Sequence, residues 1–352
     1  MCGITGIISE ENQDTLETYI NDFKNSINHR GPDEFGYTVT NGCMILNTRL
    51  SILDLEHGSQ PFYSEDKHIV VIQNGEIYNF IEVKKELQKK GIPFKTNSDT
   101  EVILKAYEYY GVNFIHHLNG MFAICILDKH TKKLYLFRDR IGVKPLYYYH
   151  NNKTILFSSE IKTFLNYPNF RVELNYQALH NYFIFNYIPV PETLFKNVFH
   201  VKPGHYLSIE LESKTISSNQ YWKIKDEKES KHFNEEMFIE KCDEILQNAV
   251  EIRLRSDVPI AAFLSGGLDS SLVCAIAKQK LQKPFNCFSI GFNDKRFDES
   301  PYFNKVVNLF NLNGISKIVD EKNINLWKKT TYHNDQPHGD ISFIPTYILS
   351  EL

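Results

Sequence analysis

Two stretches of this 352-residue chain carry residue types whose order could do chemistry. The first is Ser265-Gly266-Gly267-Leu268-Asp269-Ser270-Ser271, entered from an apolar run at 260–264 and left through Ser271-Leu272-Val273-Cys274-Ala275-Ile276-Ala277-Lys278, whose composition is helical. That order predicts a strand, a glycine turn and a helix. Glycines let the backbone turn tightly and bring unpaired amides close to a ligand, and the emerging helix points its positive end at the same place. The chemistry is phosphate binding. No Gly-Lys-Ser/Thr closes the loop, so it is not the common nucleotide loop, in which a lysine reaches the terminal phosphates. Asp269 stands where that lysine is missing, and a carboxylate beside bound phosphates points to a Mg2+ ion between them. The competing reading is a plain glycine turn in any α/β domain.

The second stretch is the N-terminus. If Met1 is removed, as a small penultimate residue permits, Cys2 presents a thiol and a free α-amine on one residue. An α-amine has an unperturbed pKa near about 7.7–8.0 and can take the thiol proton at neutral pH without a separate histidine. A cysteine there by chance is the alternative.

The elements that must position these groups fall in two halves. In the first, Leu16, Ile20, Phe23 and Ile27 have helical spacing, ended by Gly31-Pro32. A strand-like run at 69–72 leads into Asn74-Gly75-Glu76-Ile77-Tyr78-Asn79. Phe80, Val83 and Leu87 mark one helix; a second opens at Ser98-Asp99-Thr100-Glu101, which reads as a capping box. Hairpin patterns at 122–127, 134–138, 146–149 and 155–158 follow, with Asn151-Asn152 as a turn signal. Antiparallel sheet with helices beside it is α+β composition. The second half predicts a helix at 238–254 with Ile239, Cys242, Ile245, Leu246, Ala249 and Ile252 on one side. Strand-like segments at 285–292 and 315–319 then alternate with helical patterns, which argues a parallel sheet with crossover helices. The expected domains are 2–205 and 236–352, joined by a polar, charged linker at 206–235.

Composition narrows the partners. The chain is 42% hydrophobic and 23% charged with net charge −4, enough for two cores, without a basic stripe for nucleic acid or a polybasic tract for membranes. No apolar run approaches the roughly 20 residues of a spanning helix, and Glu10 and Glu11 stand where a signal peptide would be apolar. The expected location is the cytoplasm and the expected partners are small molecules. The six cysteines are widely spread with no paired metal spacing, which argues against disulfides and a structural zinc.

Cys2-Gly3-Ile4, His29-Arg30-Gly31-Pro32-Asp33, Arg49-Leu50-Ser51-Ile52, the 74–79 run, the 98–101 run and Arg138-Asp139-Arg140-Ile141-Gly142-Val143-Lys144-Pro145-Leu146-Tyr147 stand in the order of a class II glutamine amidotransferase domain, which they resemble. With 265–271 added, the chain resembles glutamine-hydrolysing asparagine synthetases from Cys2 to its last residue. The resemblance implies an N-terminal nucleophile fold of αββα layers with antiparallel sheets, followed by a Rossmann-like ATP-pyrophosphatase domain with a parallel sheet. It implies that Cys2 attacks the glutamine amide, with the Asn74 side chain and the Gly75 amide as oxyanion donors. Arg49 would hold the substrate α-carboxylate, and Glu76 and Asp99 its α-ammonium; an ion pair and a helix cap are the plainer readings of Arg49 and Asp99. His29 and Arg30, at a helix end that favours basic residues, stay supporting.

In the second domain the resemblance implies that ATP adenylates the aspartate side chain and that ammonia from Cys2, passed inside the protein, displaces AMP. Ser265, Gly266, Gly267, Asp269, Ser270 and Ser271 would hold the pyrophosphate, with Mg2+ near Asp269, and Leu264 and Ile290 would contact adenosine; buried strand positions are the alternative for the last two. His333, Asp335, His338 and Asp340 fit no zinc spacing and read as a Pro-Gly loop, with Asp340 bordering the family's substrate site. Asp298 or Ser300 reads as a helix cap. A homodimer is compatible with the resemblance. Asparagine synthetases continue past this chain's end through a further acidic ATP-contacting loop, so the expectation is a truncated chain that releases glutamate and makes little asparagine. Amidation of another carboxylate, as on cell-surface sugars, and mere glutamine or nucleotide binding are the alternatives.

Overall fold

The computed structural model describes residues 2–151, 153–224 and 234–352. The chain divides into two compact units, Met1–Lys225 and Asp226–Leu352. In chain order the first unit begins with strand β1 (Gly3–Ile8), helices α1 (Gln13–Thr18) and α2 (Ile20–Ile27), and strands β2 (Glu34–Thr40), β3 (Cys43–Arg49), β4 (Phe62–Tyr63) and β5 (Ile69–Ile77). Helices α3 (Phe80–Lys89) and α4 (Asp99–Tyr110) follow, then β6 (Gly120–Asp128), β7 (Lys133–Arg138), β8 (Tyr147–His150), β9 (Ile155–Ser158), α5 (Tyr176–Phe185), β10 (Val198–His200), β11 (His205–Glu210) and β12 (Ile216–Gln220).

Two six-stranded sheets result, ordered β10-β8-β9-β1-β3-β2 and β12-β11-β7-β6-β5-β4, with every pairing antiparallel. The alternation of the inner strands sends their two faces to two different cores. Val70 and Ile72 of β5 and Ala123, Cys125 and Leu127 of β6 meet Ile4, Ile8 and Ile45 of the other sheet. Val71, Phe122, Ile124 and Ile126 turn the other way, onto Val83, Leu87, Val102 and Ile103 of α3 and α4. On the far side Leu16, Phe23 and Ile27 of α1 and α2 cover Ile7, Met44 and Leu46. The unit is therefore helix, sheet, sheet, helix. Strands buried on both faces need near-continuous apolar sequence, which is why 69–72 and 122–127 read as unbroken runs.

Several expectations are corrected. Strand β1, which was not expected, precedes the helical stripe at 16–27, and that stripe is broken at Tyr19 into α1 and α2. Ser98 caps α4 by accepting from Thr100 N at 3.2 Å, but Glu101 does not complete a capping box. Its buried carboxylate instead accepts from Lys95 N at 2.8 Å and Thr96 N at 2.7 Å. The segment 206–220 is not linker: it forms β11 and β12, where Leu207 and Ile209 point into the inter-sheet core. Its polar composition belongs to the outward face and edge of the sheet. Of that expected linker, 225–233 lies outside the described residues, as do Met1 and Asn152 of the 151–152 turn.

The second unit carries α6 (Glu235–Arg253), β13 (Ala261–Phe263), α7 (Leu268–Leu281), β14 (Asn286–Phe292), α8 (Ser300–Phe310), β15 (Asn313–Val319), α9 (Trp327–Asn334) and α10 (Phe343–Glu351). The sheet β13-β14-β15 is wholly parallel, with α7 and α8 as its crossovers. Only Val250 and Ile252 of α6 are buried, and Ile239 and Ile245 are exposed, so the predicted apolar stripe packs at its C-terminal end alone. Its Val250 shares a core with Cys274, Ile276 and Ala277 of α7, which leaves the earlier turns uncovered. Neither expected residue caps α8: its N-cap is Glu299, without a side-chain cap bond, and Asp298 Oδ1, one residue earlier, accepts from Ser300 N at 3.3 Å and from Ser300 Oγ at 2.6 Å. Among the described residues no helix is long and apolar enough to cross a membrane.

Candidate active site

Cys2 sits immediately before β1, and its position is fixed from three directions. Leu50 N donates to Sγ at 3.4 Å, and the thiol faces Leu50 O at 3.8 Å. The Arg30 Nε–H donates to the Cys2 carbonyl at 3.0 Å, while its Nη1 pairs with Glu160 at 2.9 Å. Glu160 is buried, which alone would raise its pKa, but His29, Lys162 and Arg30 hold it down at about 2. Arg30 thus anchors the backbone of Cys2 directly, and Glu160, itself in contact with His29, holds Arg30 in place. Burial pushes the Cys2 thiol above its ordinary pKa, so the nucleophile rests protonated and needs a base.

Cys2, Arg49, Asn74, Gly75, Glu76 and Asp99, all singled out from sequence, line one cavity of about 320 Å³, together with Gln73, Thr100 and Lys144. Strand β5 delivers Gln73 to Glu76, and this is possible because Gly75 has no side chain. A Cβ there would stand 2.1 Å from Met121 O on β6, and its φ is +156°. Asn74 donates to Ser159 Oγ at 3.4 Å, and Ser159 Oγ also accepts from Ile4 N at 3.1 Å, which ties the cavity wall to the strand that follows Cys2.

Asp99 at the start of α4 is buried, its Oδ2 accepting from Ile77 N at 2.9 Å and its Oδ1 from Gln73 Nε2 at 2.8 Å. Burial outweighs these bonds and raises its pKa to about 6. Burial likewise raises Glu76 and lowers Lys144, each of which partly offsets the other. Arg49 is buried and pairs with Glu34 at 2.9 Å through Nη1, while Nη2 donates to the Leu53 and Asp54 carbonyls at 3.0 and 2.9 Å. Of its five N–H donors, three are thereby engaged by these bonds. The acceptors Gln73 Oε1 and Asn74 Oδ1 are buried without a partner. Each such group costs about 1–3 kcal/mol, a cost that a ligand bringing N–H donors removes.

In the second unit the strand, turn and helix are as predicted: β13 runs through buried Leu264 into Ser265, Gly266 and Gly267, and α7 starts at Leu268. Gly266 has φ +89°, and a Cβ there would meet Phe303 N at 2.5 Å. Ser265 Oγ and Ser270 Oγ lie 3.1 Å apart, and Ser265 Oγ accepts from Gly267 N at 3.1 Å. Asp269 lies in the first turn of α7, and its N-terminus has no side-chain cap. Ser271 Oγ, in the same turn, is buried without a partner. A helix start with uncapped amides and an orphaned hydroxyl fits a phosphate group. Leu264 and Ile290 pack in two separate cores, the first with Cys274 and Phe303, the second beside Val319, Ile344 and Ile348. Asp340 accepts from Ser342 N at 2.8 Å, as a loop residue would.

A family model described as a glutamine amidotransferase domain matches residues 1–222, and one described as asparagine synthase matches 241–352. Over its whole length the chain is 38% identical to a Methanocaldococcus jannaschii protein, provisionally named a glutamine-hydrolysing asparagine synthetase, of which it covers 72%. The chain belongs to the glutamine-hydrolysing asparagine synthetase family. It is also 35% identical to asparagine synthetase 1 of Bacillus subtilis and 29% identical to amidase chry2 of Gibberella zeae, again over its full length. It spans 55% and 56% of those two relatives' lengths.

Within this asparagine synthetase family member, sequence reasoning passed over Gln73, Lys144 and Glu160 as site residues. Gln73 was legible only as the neighbour of Asn74. Lys144 lay inside a quoted motif whose mechanics are now visible: Asp139 accepts from Phe122 N, Val143 N and Lys144 N at 3.2, 2.9 and 2.9 Å, and Arg138 donates to Lys144 O at 2.9 Å. The motif is a loop clamp that holds Lys144 at the cavity. Glu160 meets Arg30 from 130 residues away, which no local pattern reveals.

Proposed function

We propose that the first unit hydrolyses glutamine at Cys2 and that the second activates a carboxylate for the released ammonia, with aspartate as acceptor and asparagine as product. The observation that carries this reading is the shared cavity, where a buried thiol meets unpartnered acceptors and two carboxylates of raised pKa. Once Met1 is removed, the Cys2 amine takes the thiol proton and Sγ attacks the side-chain carbonyl carbon of glutamine. The oxyanion is met by the Asn74 side chain and the Gly75 amide. On collapse the C–N bond breaks, and ammonia leaves with the proton the amine held. Water then cleaves the thioester, giving glutamate and the free thiol. Glu76 and Asp99 face the substrate ammonium, and the remaining Arg49 donors its carboxylate.

The loop 265–271 is the proposed pyrophosphate site, supported by the orphaned Ser271 hydroxyl and the Gly266 conformation. ATP held there would supply the adenylyl group that activates the carboxylate, with Mg2+ beside Asp269 shielding phosphate charge. Ser265, Ser270 and the amides of 266–267 would orient the phosphates. The proposed test supplies the purified chain with glutamine, aspartate and Mg-ATP and separates the products. Glutamate with asparagine supports both halves of the reading; glutamate alone restricts it to the first. Glutamate release that survives Cys2→Ala refutes the nucleophile.

A second acceptor reading is favoured by the full-length likeness to a relative named an amidase. Pyrophosphate release from a panel of carboxylates separates the two: a carboxylate other than aspartate giving the fastest release selects it.

A further inference from the structure

Away from both proposed sites, Asp66 and His68 in the β4–β5 connection meet His130 in the β6–β7 turn. The β5–β6 ladder reaches the pair Ile69↔Asp128, and Lys129 N donating to His68 O at 2.9 Å carries it one residue further. That register sets the three side chains together although Asp66 and His130 are 64 residues apart. His130 Nε2 lies 2.8 Å from Asp66 Oδ2, His68 Nδ1 lies 3.5 Å from the same oxygen and 2.9 Å from the Asp66 backbone carbonyl, and the two imidazoles stack with centroids 4.2 Å apart. One ligating atom of each residue lies within 4.8 Å of the other two. The carboxylate is oriented from behind, its Oδ1 accepting from Ser64 Oγ at 2.5 Å and His68 N at 3.0 Å. Outer partners of this kind fix the aim of metal ligands.

We infer that Asp66, His68 and His130 form a surface site for a divalent late first-row transition ion of the zinc type. The donor set is two imidazole nitrogens and one carboxylate oxygen, and three protein ligands leave a fourth position for water. Ligand bonds of about 2.0–2.2 Å put the donors of a tetrahedral site about 3.3 Å apart. The 2.8 and 3.5 Å separations around Asp66 Oδ2 bracket that value. The exposed histidines have room to turn and take up the remainder. A bound ion would replace both the direct Asp66–His130 bond and the bond from His68 Nδ1 to the Asp66 carbonyl, and tie the two turns together at the sheet end.

The test titrates Zn2+ by calorimetry and Co2+ by visible absorption into the full chain carrying Cys2→Ala, so that the cavity thiol does not compete. One equivalent should bind. His68→Ala and His130→Ala should each weaken binding by at least about tenfold, since even outer partners are worth roughly 10–100-fold. Zn2+ should raise the melting temperature of the Cys2→Ala chain but not of the chain that also lacks both histidines. Asp66→Asn, which keeps the side-chain shape, repeats the comparison if an alanine variant does not melt cooperatively without metal. Undiminished affinity in the variant lacking both histidines, or absence of one-equivalent binding in the parent, would overturn the site.

Discussion

Among the residues lining the cavity, Asp99 has its chemistry strongly altered by its surroundings. Its pKa rises from 3.8 to about 6 because burial penalises the carboxylate more than Ile77 N and Gln73 relieve it. The folded state therefore holds a proton that the unfolded state has already lost between those two values, and stability falls as pH rises through that window. The difference amounts to on the order of 3 kcal/mol, and burial of Glu76 acts in the same direction. Urea unfolding of the chain should show this loss between about pH 4 and pH 6, and Asp99→Asn should flatten it. Glutamine recognition should follow the opposite course. Above about pH 6 the carboxylate ionises and can hold an ammonium, so the KM for glutamine should drop there, and Asp99→Asn should raise the KM and remove the inflection. An unchanged KM profile in Asp99→Asn would exclude Asp99 from substrate binding.

At the scale of elements, the cavity exists because β5 and β6 approach more closely than side chains allow. Gly75 is in contact range of Met121 O, and across the ladder a Cβ at Gly120 would stand 2.3 Å from Glu76 O. Gly75→Ala should cost at least about 1–3 kcal/mol, the usual range for forcing atoms into a filled space. Glutamate release should fall further than stability alone explains, because Asn74 and Glu76 move with the strand. Melting curves and initial rates measured on the same preparation check both. In the second unit, Gly266→Ala should abolish carboxylate-dependent pyrophosphate release while leaving glutamate release intact, since its Cβ would push on Tyr302 and Phe303. Loss of both activities would count against the separate assignment of the two sites.

For the whole molecule, the cores of the first unit are built entirely from its own residues, from Ile4 to Val201, Leu207 and Ile209. A fragment ending at residue 224 should accordingly fold alone, melt cooperatively and release glutamate in a Cys2-dependent way. Circular dichroism melts and a glutamate assay decide this. A fragment without a cooperative transition would mean that the first unit depends on residues beyond it. The second unit's smaller cores, around Cys274 and Cys287 and around Val319, Ile344 and Ile348, give the corresponding fragment less apolar burial and a lower expected melting temperature.

Much of this was legible from sequence for a local reason. The role proposed for Cys2 rests on the α-amine it would carry once Met1 is removed, the 265–271 turn follows from glycines between an apolar run and a helical one, and Ser98 caps α4 within two residues. The alternating and unbroken apolar runs likewise set strand faces before any partner is known. The edge strand β12 and its neighbour β11 were lost as linker because their outward residues are polar, and Glu101 was misread because its partners lie upstream of the helix rather than at its cap. What only the tertiary structure decided is which charged groups share a space: Arg30 with Glu160, Lys144 with Glu76, Asp66 with His130. Sequence fixes what a side chain can donate or accept over one turn or one strand. Long-range register, set by the joint burial of two sheets and their helices, determines what it meets.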